Sequence, residues 1–286
     1  MEESGTYLSM FVNSSLAVGN PVAFLTLMML FLARMLPIIS LSPFFGARVL
    51  PHPVKIAFAL SLFVIFLPQL LVTVKGPIPF DEYAFILMLK EMLIGIVLGF
   101  LVGMPFQIAS NVGMIIDHQR GGSSLMVNDP TIQNQSSPLG TLFNMVLVFI
   151  FFIIEGPFLF LDAIVTSYEI IPADKFINAE FFVKSGDFWN MMVEVLNRVM
   201  VVTMQLATPG LLAILMTDTF LGIANRLAPQ VQITFLGMPL KSLLALVVIC
   251  FGWKLFNEEL VKQCYAWIDT VKKALIYMAG LELPNT

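Results

Sequence analysis

Long apolar runs separated by polar stretches dominate the pattern of this chain. The six apolar segments cover approximately residues 16–47, 56–74, 83–116, 139–161, 199–225 and 227–253. A helix of about 20 residues crosses the roughly 30 Å hydrocarbon core of a bilayer, and several of these segments reach that length. The pattern therefore predicts an all-α, membrane-associated protein.

Charges and prolines interrupt these segments. Arg34 lies in the middle of the first segment, and Glu155 interrupts the fourth. Broken backbone persists at membrane depth only against protein or a water-filled cavity. Two interpretations stay open: kinked transmembrane helices, and bent hairpins that pack mainly on protein. The prolines within or beside apolar text are Pro37, Pro43, Pro51, Pro53, Pro68, Pro105, Pro157, Pro209, Pro229 and Pro239, and each tends to kink or end a helix.

Arg34 is the most costly of the interruptions. An arginine at the centre of a lipid-facing helix costs about 2.5–3.5 kcal/mol. We therefore predict that Arg34 does not face lipid and that it pairs with an acidic or carbonyl group of its own chain or of a neighbouring subunit. Extension of the side chain to the membrane interface is the alternative.

Small residues predict a close helix contact. Gly95, Gly99 and Gly103 lie four residues apart, on one face of a helix where another backbone can approach. Glycine is frequent in membrane helices, so the ladder has little value as a specific dimerisation motif. Gln107, Asn111 and Asp117 continue that helix to a polar end, which we expect to face protein or water.

The C-terminal part has a different periodicity. It predicts an amphipathic helix that continues from the apolar run ending near Trp253. Its lysines favour a cytoplasmic end, and a partner-facing helix and a membrane-surface helix both stay open. The apolar positions are Phe256, Leu260, Cys264, Ile268, Val271, Leu275 and Met278.

Composition supports the membrane assignment. Of 286 residues, 58% are hydrophobic and 12% are charged, against about 25% charged in soluble domains. The net charge of −4 is scattered, so no nucleic-acid partner is expected. Cys250 and Cys264 are expected to be two buried thiols, because pairing would require the intervening helix to bend back. The Met-Glu-Glu start lacks a basic region typical of signal peptides, so we expect the first apolar run to be retained.

Candidate catalytic chemistry is sparse. The two histidines, His52 and His118, fit no metal-binding motif, and phosphate-loop, dinucleotide and nucleophile-elbow fingerprints are absent from the sequence. Asp117 and Asp218 both end apolar runs, but a carboxylate at a helix terminus is usually solvated or paired rather than half of an aspartyl pair. We expect no enzyme activity, no cofactor and no metal.

The segment 118–138, HQRGGSSLMVNDPTIQNQSSP, is long and polar, yet it contains only two charged residues, Arg120 and Asp129. Such a composition suits neither lipid nor a solvated linker, and it can be accommodated where protein or a water-filled cavity surrounds the segment. Gly121 and Gly122 permit a sharp reversal, and Pro138 can open the next helix. An ordered loop that stabilises subunit contacts is the alternative interpretation.

Several motifs in order resemble one family. They are ARMLPIISLSPFFGARVLPHPVKIAFALSL (33–62), KEMLIGIVLGFLVGMPFQIASNVGMIIDHQRG (90–121), NDP (128–130), SSPLG (136–140) and LATPGLLAILMTDTFLGIANRLAPQVQITFLGMPLKS (206–242). Together they resemble the T subunit of the type III secretion export apparatus, the SctT family, whose flagellar counterpart is FliR. The resemblance runs from about 20 to 255. The Pro-Leu-Lys-Ser block at 239–242 is more similar to the injectisome branch than to the flagellar one.

The resemblance implies an all-α export-gate subunit of kinked and broken helical hairpins, forming one wedge of a cone-shaped hetero-oligomer in the bacterial inner (plasma) membrane, within the basal body. The implied partners are R-type and S-type gate subunits, the U-type switch subunit and unfolded polypeptides in transit. Residues 1–185 would be the R-like part, including a plug-like loop at 118–138. Residues 186–286 would be an S-like hairpin that turns at RLAPQ and ends in the amphipathic helix.

The resemblance also implies two sets of site residues. Lys241 and the helix at 254–278 would lie at the cytoplasmic opening. The candidates for the plug or conduit are Gln119, Arg120, Gly121, Gly122, Leu125, Met126 and Asp129. The candidates for subunit interfaces are Arg34, Gly95, Gly99, Gly103, Arg226, Pro229, Gln230 and Lys241.

Two other functions stay open on the sequence. A polytopic small-solute secondary transporter should show internal repeats with matching broken helices, and no convincing repeat is visible, although Pro105 and Pro209 both break glycine-containing runs. A membrane enzyme would need a catalytic cluster that the sequence does not offer.

Overall fold

A computed structural model describes residues 21–45, 50–74, 78–121, 137–177, 186–227 and 233–279. All regular elements in these ranges are helical, which confirms the all-α prediction. A short 3-10 helix, Pro43–Phe45, follows the first helix. The α-helices are α1 (Pro21–Leu41), α2 (His52–Thr73), α3 (Glu82–Gln119), α4 (Pro138–Ile153), α5 (Gly156–Ile170), α6 (Asp187–Leu227), α7 (Ile233–Phe251) and α8 (Trp253–Met278).

Four of these helices, α1, α2, α3 and α6, are long and apolar enough to cross a membrane. The pairs α4–α5 and α7–α8 are bent by 74° and 66°, and they raise the number of possible spans to six if each pair counts as one. The prediction of membrane-associated, kinked and broken helices is confirmed.

The two sharp bends lie at residues other than proline. Pro37, Pro68, Pro105, Pro209 and Pro239 all lie inside helices that continue past them. The break between α4 and α5 lies instead at an exposed glutamate in the left-handed conformation, Glu155, with φ 57°.

The break before α8 corrects the sequence analysis. The amphipathic helix does not continue from the preceding apolar run, because the chain bends at Gly252 between α7 and α8. Glycine inside a helix costs about 1 kcal/mol relative to alanine, so the helical ladder is weak at that position.

The amphipathic face of α8 matches the prediction. Leu260, Cys264, Val271, Leu275 and Met278 are buried. The lysines Lys262, Lys272 and Lys273 are exposed. The periodicity of three or four residues therefore identified the buried face of this helix.

The expectation for the cysteines is right at one position and wrong at the other. Cys264 is a buried free thiol on α8, whereas the free thiol of Cys250 on α7 is exposed. Cys250 lies on a face of α7 that the described residues leave uncovered, since its neighbours Leu243, Val247 and Phe251 are exposed as well.

The chain divides into two compact units. Unit 1 contains Met1–Gly103, Glu155–Met192 and Ala266–Thr286, and unit 2 contains Met104–Ile154 and Val193–Tyr265. These units combine segments from both sides of the predicted boundary at 185/186. The division into compact units does not test whether residues 1–185 and 186–286 resemble R and S subunits, so that resemblance stays a prediction.

Each unit has an apolar core. In unit 1, the buried Phe31 ring of α1 lies 5.5 Å from that of Phe63 on α2 and 5.8 Å from that of Tyr168 on α5. In unit 2, the rings of Phe106 and Phe151 pack edge to face at 5.5 Å. These cores hold the polar clusters described below at fixed positions.

The glycine ladder packs against α1 of the same chain. A Cβ on Gly95 would collide with the backbone carbonyl of Arg34, and one on Gly99 would lie 3.1 Å from the Cα of Ile38. A Cβ on Gly103 would lie 3.5 Å from the carbonyl oxygen of Leu41. The close backbone approach is thus present within unit 1, and a contact of these glycines with another subunit stays a prediction.

Candidate functional site

Unit 1 contains a buried charge cluster, formed by Arg34 of α1, Lys90 and Glu91 of α3, and Ser167 and Tyr168 of α5. The side chains of Arg34 and Glu91 are 0% exposed. The Arg34 guanidinium grips the Glu91 carboxylate with two donors, Nε to Oε2 and Nη2 to Oε1, the second at 3.0 Å. Such bidentate, charge-assisted pairs are the strongest type of hydrogen-bonded contact between side chains.

Two further donors of Arg34 are engaged as well, so that four of its five N–H groups have an acceptor. Nη1 donates to Ser167 Oγ and Nη2 to the carbonyl oxygen of Ile171, both at 2.9 Å. The guanidinium carbon lies 3.9 Å from the centre of the Tyr168 ring, a cation–π contact. The prediction that Arg34 pairs with an acidic or carbonyl group is confirmed, and the partners belong to its own chain.

Lys90 binds the same carboxylate, at the oxygen that also accepts from Arg34 Nη2. Its Nζ lies 2.7 Å from Glu91 Oε1, and it donates to the carbonyl oxygens of Pro172 at 2.9 Å and Lys175 at 2.8 Å. One carboxylate and a set of backbone carbonyls thus balance two buried cations, which desolvation would otherwise make very costly. The cluster ties the segment after α5 to α3.

Sequence analysis named Arg34 but missed its partners. Lys90 and Glu91 are adjacent charges inside an apolar run, so the cost argument applied to Arg34 applied to them too. The pairing itself joins residues more than fifty positions apart, and spacing along one helix gives no sign of it.

Unit 2 contains a second cluster, the Asp117 clasp, formed by Asp117, Arg120, Ser137 and Ser242. Asp117 is 1% exposed near the end of α3. Its Oδ2 accepts from the Ser137 hydroxyl and, at 3.0 Å, from the backbone N–H of Leu139. Its Oδ1 accepts from Arg120 Nε at 2.7 Å.

The clasp also caps α4. Ser137 Oγ accepts from the N–H of Gly140 at 2.9 Å, as an N-cap serine does. The Asp117 carboxylate adds a negative charge beside this N-terminus, where the helix dipole favours it. The prediction that Pro138 opens a helix is confirmed, since α4 begins there.

One carboxylate therefore holds both flanks of the segment 122–136. Arg120 and Gly121 precede that segment, and Ser137 follows it. Gly121 has φ +90°, in the left-handed region that glycine adopts without strain, and the reversal predicted to follow it lies in residues outside those that the structure describes. Arg120 Nη1 also donates to Ser242 Oγ on α7 at 3.0 Å, so the same arginine links the flank to a third helix.

The backbones of α3 and α4 are in close contact next to the Asp117 clasp. A Cβ on Gly113 of α3 would collide with the backbone nitrogen of Gly140 on α4, and a Cβ on Gly140 would lie 2.7 Å from the carbonyl oxygen of Ser110. Sequence analysis did not name these glycines, because Gly113 falls outside the four-residue ladder.

The other predicted site residues have these positions. Gln119 is exposed at the end of α3, and Arg226 is exposed near the end of α6. Lys241 on α7 pairs with Asp218 on α6, so Asp117 and Asp218 each have a basic partner of their own. The predicted residues Gly122, Leu125, Met126, Asp129, Pro229 and Gln230 lie outside the described residues.

The part of the chain that the structure describes contains no group of three or more His, Cys, Asp and Glu side chains able to hold a metal ion. The polar clusters bind backbone segments instead: the carbonyls after α5 in unit 1, and the two flanks of 122–136 in unit 2. Fold and site together define a polytopic helical membrane protein whose buried charges fix the chain in place.

The chain belongs to the family of bacterial export proteins, family 1, whose sequence model matches residues 25–265. It is 33% identical over 175 residues to the Yop proteins translocation protein T of Yersinia pestis, a match that covers 58% of this chain and 65% of that protein. The chain thus spans slightly less than two thirds of the Yersinia relative.

Two further relatives come from different systems. The surface presentation of antigens protein SpaR of Shigella sonnei is 29% identical over 220 residues, covering 76% of this chain and 80% of that protein. The flagellar biosynthetic protein FliR of Bacillus subtilis is 30% identical over 212 residues, covering 72% and 78%. The resemblance to the T subunit family and its flagellar counterpart is confirmed.

Proposed function

We propose that this chain is the T subunit of a type III secretion export gate in the bacterial inner membrane. In this role it would line, and help to close, the conduit for unfolded polypeptides, without catalysis or a cofactor. The family match over residues 25–265 carries the proposal, and the four to six possible spans support a membrane-embedded component.

The proposed partners are R-type and S-type gate subunits and the U-type switch subunit. Large exposed apolar side chains on the α6–α7 hairpin support a surface that requires lipid or protein to cover it, for example Met216 at 74%, Phe220 at 67% and Phe251 at 89% exposed. Lys241 and the 254–278 region would lie at the cytoplasmic opening. Arg226, Pro229 and Gln230 would shape the hairpin turn against a neighbouring subunit.

Closure of the conduit is assigned to the segment 118–138. The Asp117 clasp supports this, because the Asp117 carboxylate binds Arg120 on one flank of the segment and Ser137 on the other. A segment of this length with fixed ends can reach roughly 25 Å from its base. It can therefore be displaced by an entering polypeptide while the clasp stays closed, provided that weak contacts hold the closed position.

Purification from a membrane that contains all gate subunits tests the assignment. An affinity tag on this chain should recover R-type and S-type subunits at a fixed ratio. A monomer that transports a small solute after reconstitution would contradict the gate and favour the secondary transporter.

Deletion of residues 121–134 tests the closing role separately from assembly. We expect the complex to retain its subunit composition, while vesicles containing it leak ions or small solutes faster than those with the unaltered complex. An assembled deletion complex that stays tight would leave the segment as an ordered loop that only stabilises subunit contacts.

A further inference from the structure

Unit 2 has an apolar groove that the proposed gate function does not use. The end of α4 and the first half of α8 enclose a volume of about 650 Å³. Its floor consists of Ile150, Ile153, Ile154, Trp253 and Val261, and its rim of Lys254, Asn257, Glu258 and Lys262. We call this site the α4–α8 groove.

The composition of the two helices indicates the depth of the groove in a bilayer. The apolar α7 ends at Phe251, and Trp253 and Lys254 open the amphipathic α8. Tryptophan and lysine at the end of an apolar stretch are typical of the membrane–water interface. On α4, Phe149 and Ile153 are 66% and 64% exposed, as expected for side chains that face acyl chains. The groove therefore lies where acyl chains meet headgroups.

The charges of the rim are of both signs and weakly engaged. Lys254 and Glu258 lie 4.0 Å apart, with side chains 89% and 54% exposed. Lys262 pairs at 3.5 Å with Glu259, which lies outside the lining. Exposed pairs of this kind contribute little to stability, so the charges of a headgroup can replace them at little cost.

We propose that the α4–α8 groove binds phosphatidylethanolamine. An acyl chain packs on the isoleucines of the groove, the phosphate pairs with Lys254, and the ammonium donates to Glu258. Lys254 and Glu258 are one helical turn apart, about 6 Å along the axis, which suits the separation of opposite charges in a zwitterionic headgroup. A phosphatidylglycerol headgroup would leave the Glu258 carboxylate without a cation. The test uses the assembled complex and so rests on the proposed gate function, on which co-elution of the partner subunits reports separately from the lipid label.

Photo-cross-linking of the complex purified with its partner subunits tests the proposal. The probe is phosphatidylethanolamine with a diazirine in one acyl chain, and the labelled peptides are identified by mass spectrometry. We expect label at residues 150–154 and 253–262. Unlabelled phosphatidylethanolamine should compete, and phosphatidylglycerol should compete about fivefold less well, because one favourable charge contact near a membrane surface contributes about 1 kcal/mol.

Matched variants separate the charges. Lys254→Gln should reduce the label about fivefold, whereas Lys273→Gln, an exposed lysine on the same helix outside the groove, should leave it unchanged. Glu258→Gln should make the two lipids compete equally. Co-elution of the partner subunits confirms that each variant is assembled.

Three results would overturn the proposal. Equal competition by both lipids in the unaltered complex would remove the headgroup assignment. Label that is insensitive to Lys254→Gln would remove the phosphate contact. Absence of label at both segments in an intact complex would show that a neighbouring subunit covers the groove.

Discussion

The charge cluster of unit 1 and the Asp117 clasp of unit 2 use the same pair of groups in different surroundings. Each centres on a buried carboxylate facing an arginine. Arg34 is 0% exposed, and its donors bind side chains and backbone on three sides. Arg120 is 11% exposed, lies in a turn, and also donates to a neutral serine, Ser242.

The difference lies in what can replace a lost partner. The side chains of the charge cluster are buried from solvent, so removal of one group leaves a buried charge uncompensated. Arg120 lies close enough to solvent for water to replace a lost contact. The charge cluster is therefore suited to holding the fold, and the clasp is suited to holding a segment whose release the fold survives.

The largest effect is expected from Glu91→Gln. This substitution keeps the shape of the side chain but leaves Arg34 and Lys90 without a counter-charge, at a cost of about 3–5 kcal/mol. The yield of monodisperse protein and its thermal unfolding in detergent measure the loss. Glu194→Gln, at an exposed position on α6, is the matched control. Equal unfolding temperatures for the two variants would contradict the role of the charge cluster.

Glycine substitutions compare the packing of the two units directly. Gly95→Ala in unit 1 and Gly113→Ala in unit 2 each place a Cβ against backbone atoms that cannot move aside. We expect each to destabilise its unit by about 2–3 kcal/mol, at the upper end of overpacking effects.

Gly222 provides the control for both glycines. A Cβ there would meet no atom within 4 Å, so Gly222→Ala on α6 should raise stability by up to about 1 kcal/mol. Thermal unfolding of all three variants measures the difference. Equal unfolding temperatures for Gly95→Ala, Gly113→Ala and Gly222→Ala would contradict the packing argument.

Asp117→Asn is expected to have a smaller effect than Glu91→Gln. It removes the charge that Arg120, Ser137 and Leu139 share, at a cost of about 1.5–2 kcal/mol. Because Arg120 can be hydrated, the variant should still fold and co-purify with partner subunits. Loss of folding as severe as that of Glu91→Gln would remove the distinction between the two clusters.

The smallest effect is expected from Ser242→Ala. It removes one hydrogen bond between Arg120 and α7, with an expected loss of about 0.5–1.5 kcal/mol in unfolding free energy. Ser61→Ala is the control, since Ser61 is exposed and bonds only to a carbonyl of its own helix. A change for Ser242→Ala no larger than that of the control would show that the link to α7 contributes nothing measurable.

The sequence predicted features that depend on local pattern. The apolar face of α8 and the start of α4 at Pro138 each follow from the residues at that position. Arg34 was predicted to pair because the cost of a bare charge in an apolar run depends on that run alone.

Features that depend on contacts between residues far apart in the sequence could not be predicted from local pattern. Nothing near Arg34 identifies Glu91 as its partner, and nothing in 118–138 shows that Asp117 binds Ser137. Two predictions were wrong: that the apolar run continues as one helix through Gly252, and that Cys250 is buried. Tertiary contacts decide whether a weak helical position bends and which helix faces are covered.

Ion flux through assembled complexes with Asp117→Asn tests the central claim most directly. The complex is reconstituted in vesicles, and its subunit composition is verified beside that of Asp162→Asn, an equal change of charge at an exposed position of unit 1. The account predicts a higher flux for Asp117→Asn than for the unaltered complex, and an unchanged flux for Asp162→Asn. A fully assembled Asp117→Asn complex as tight as the unaltered one would contradict the claim that the clasp holds the closing segment in place.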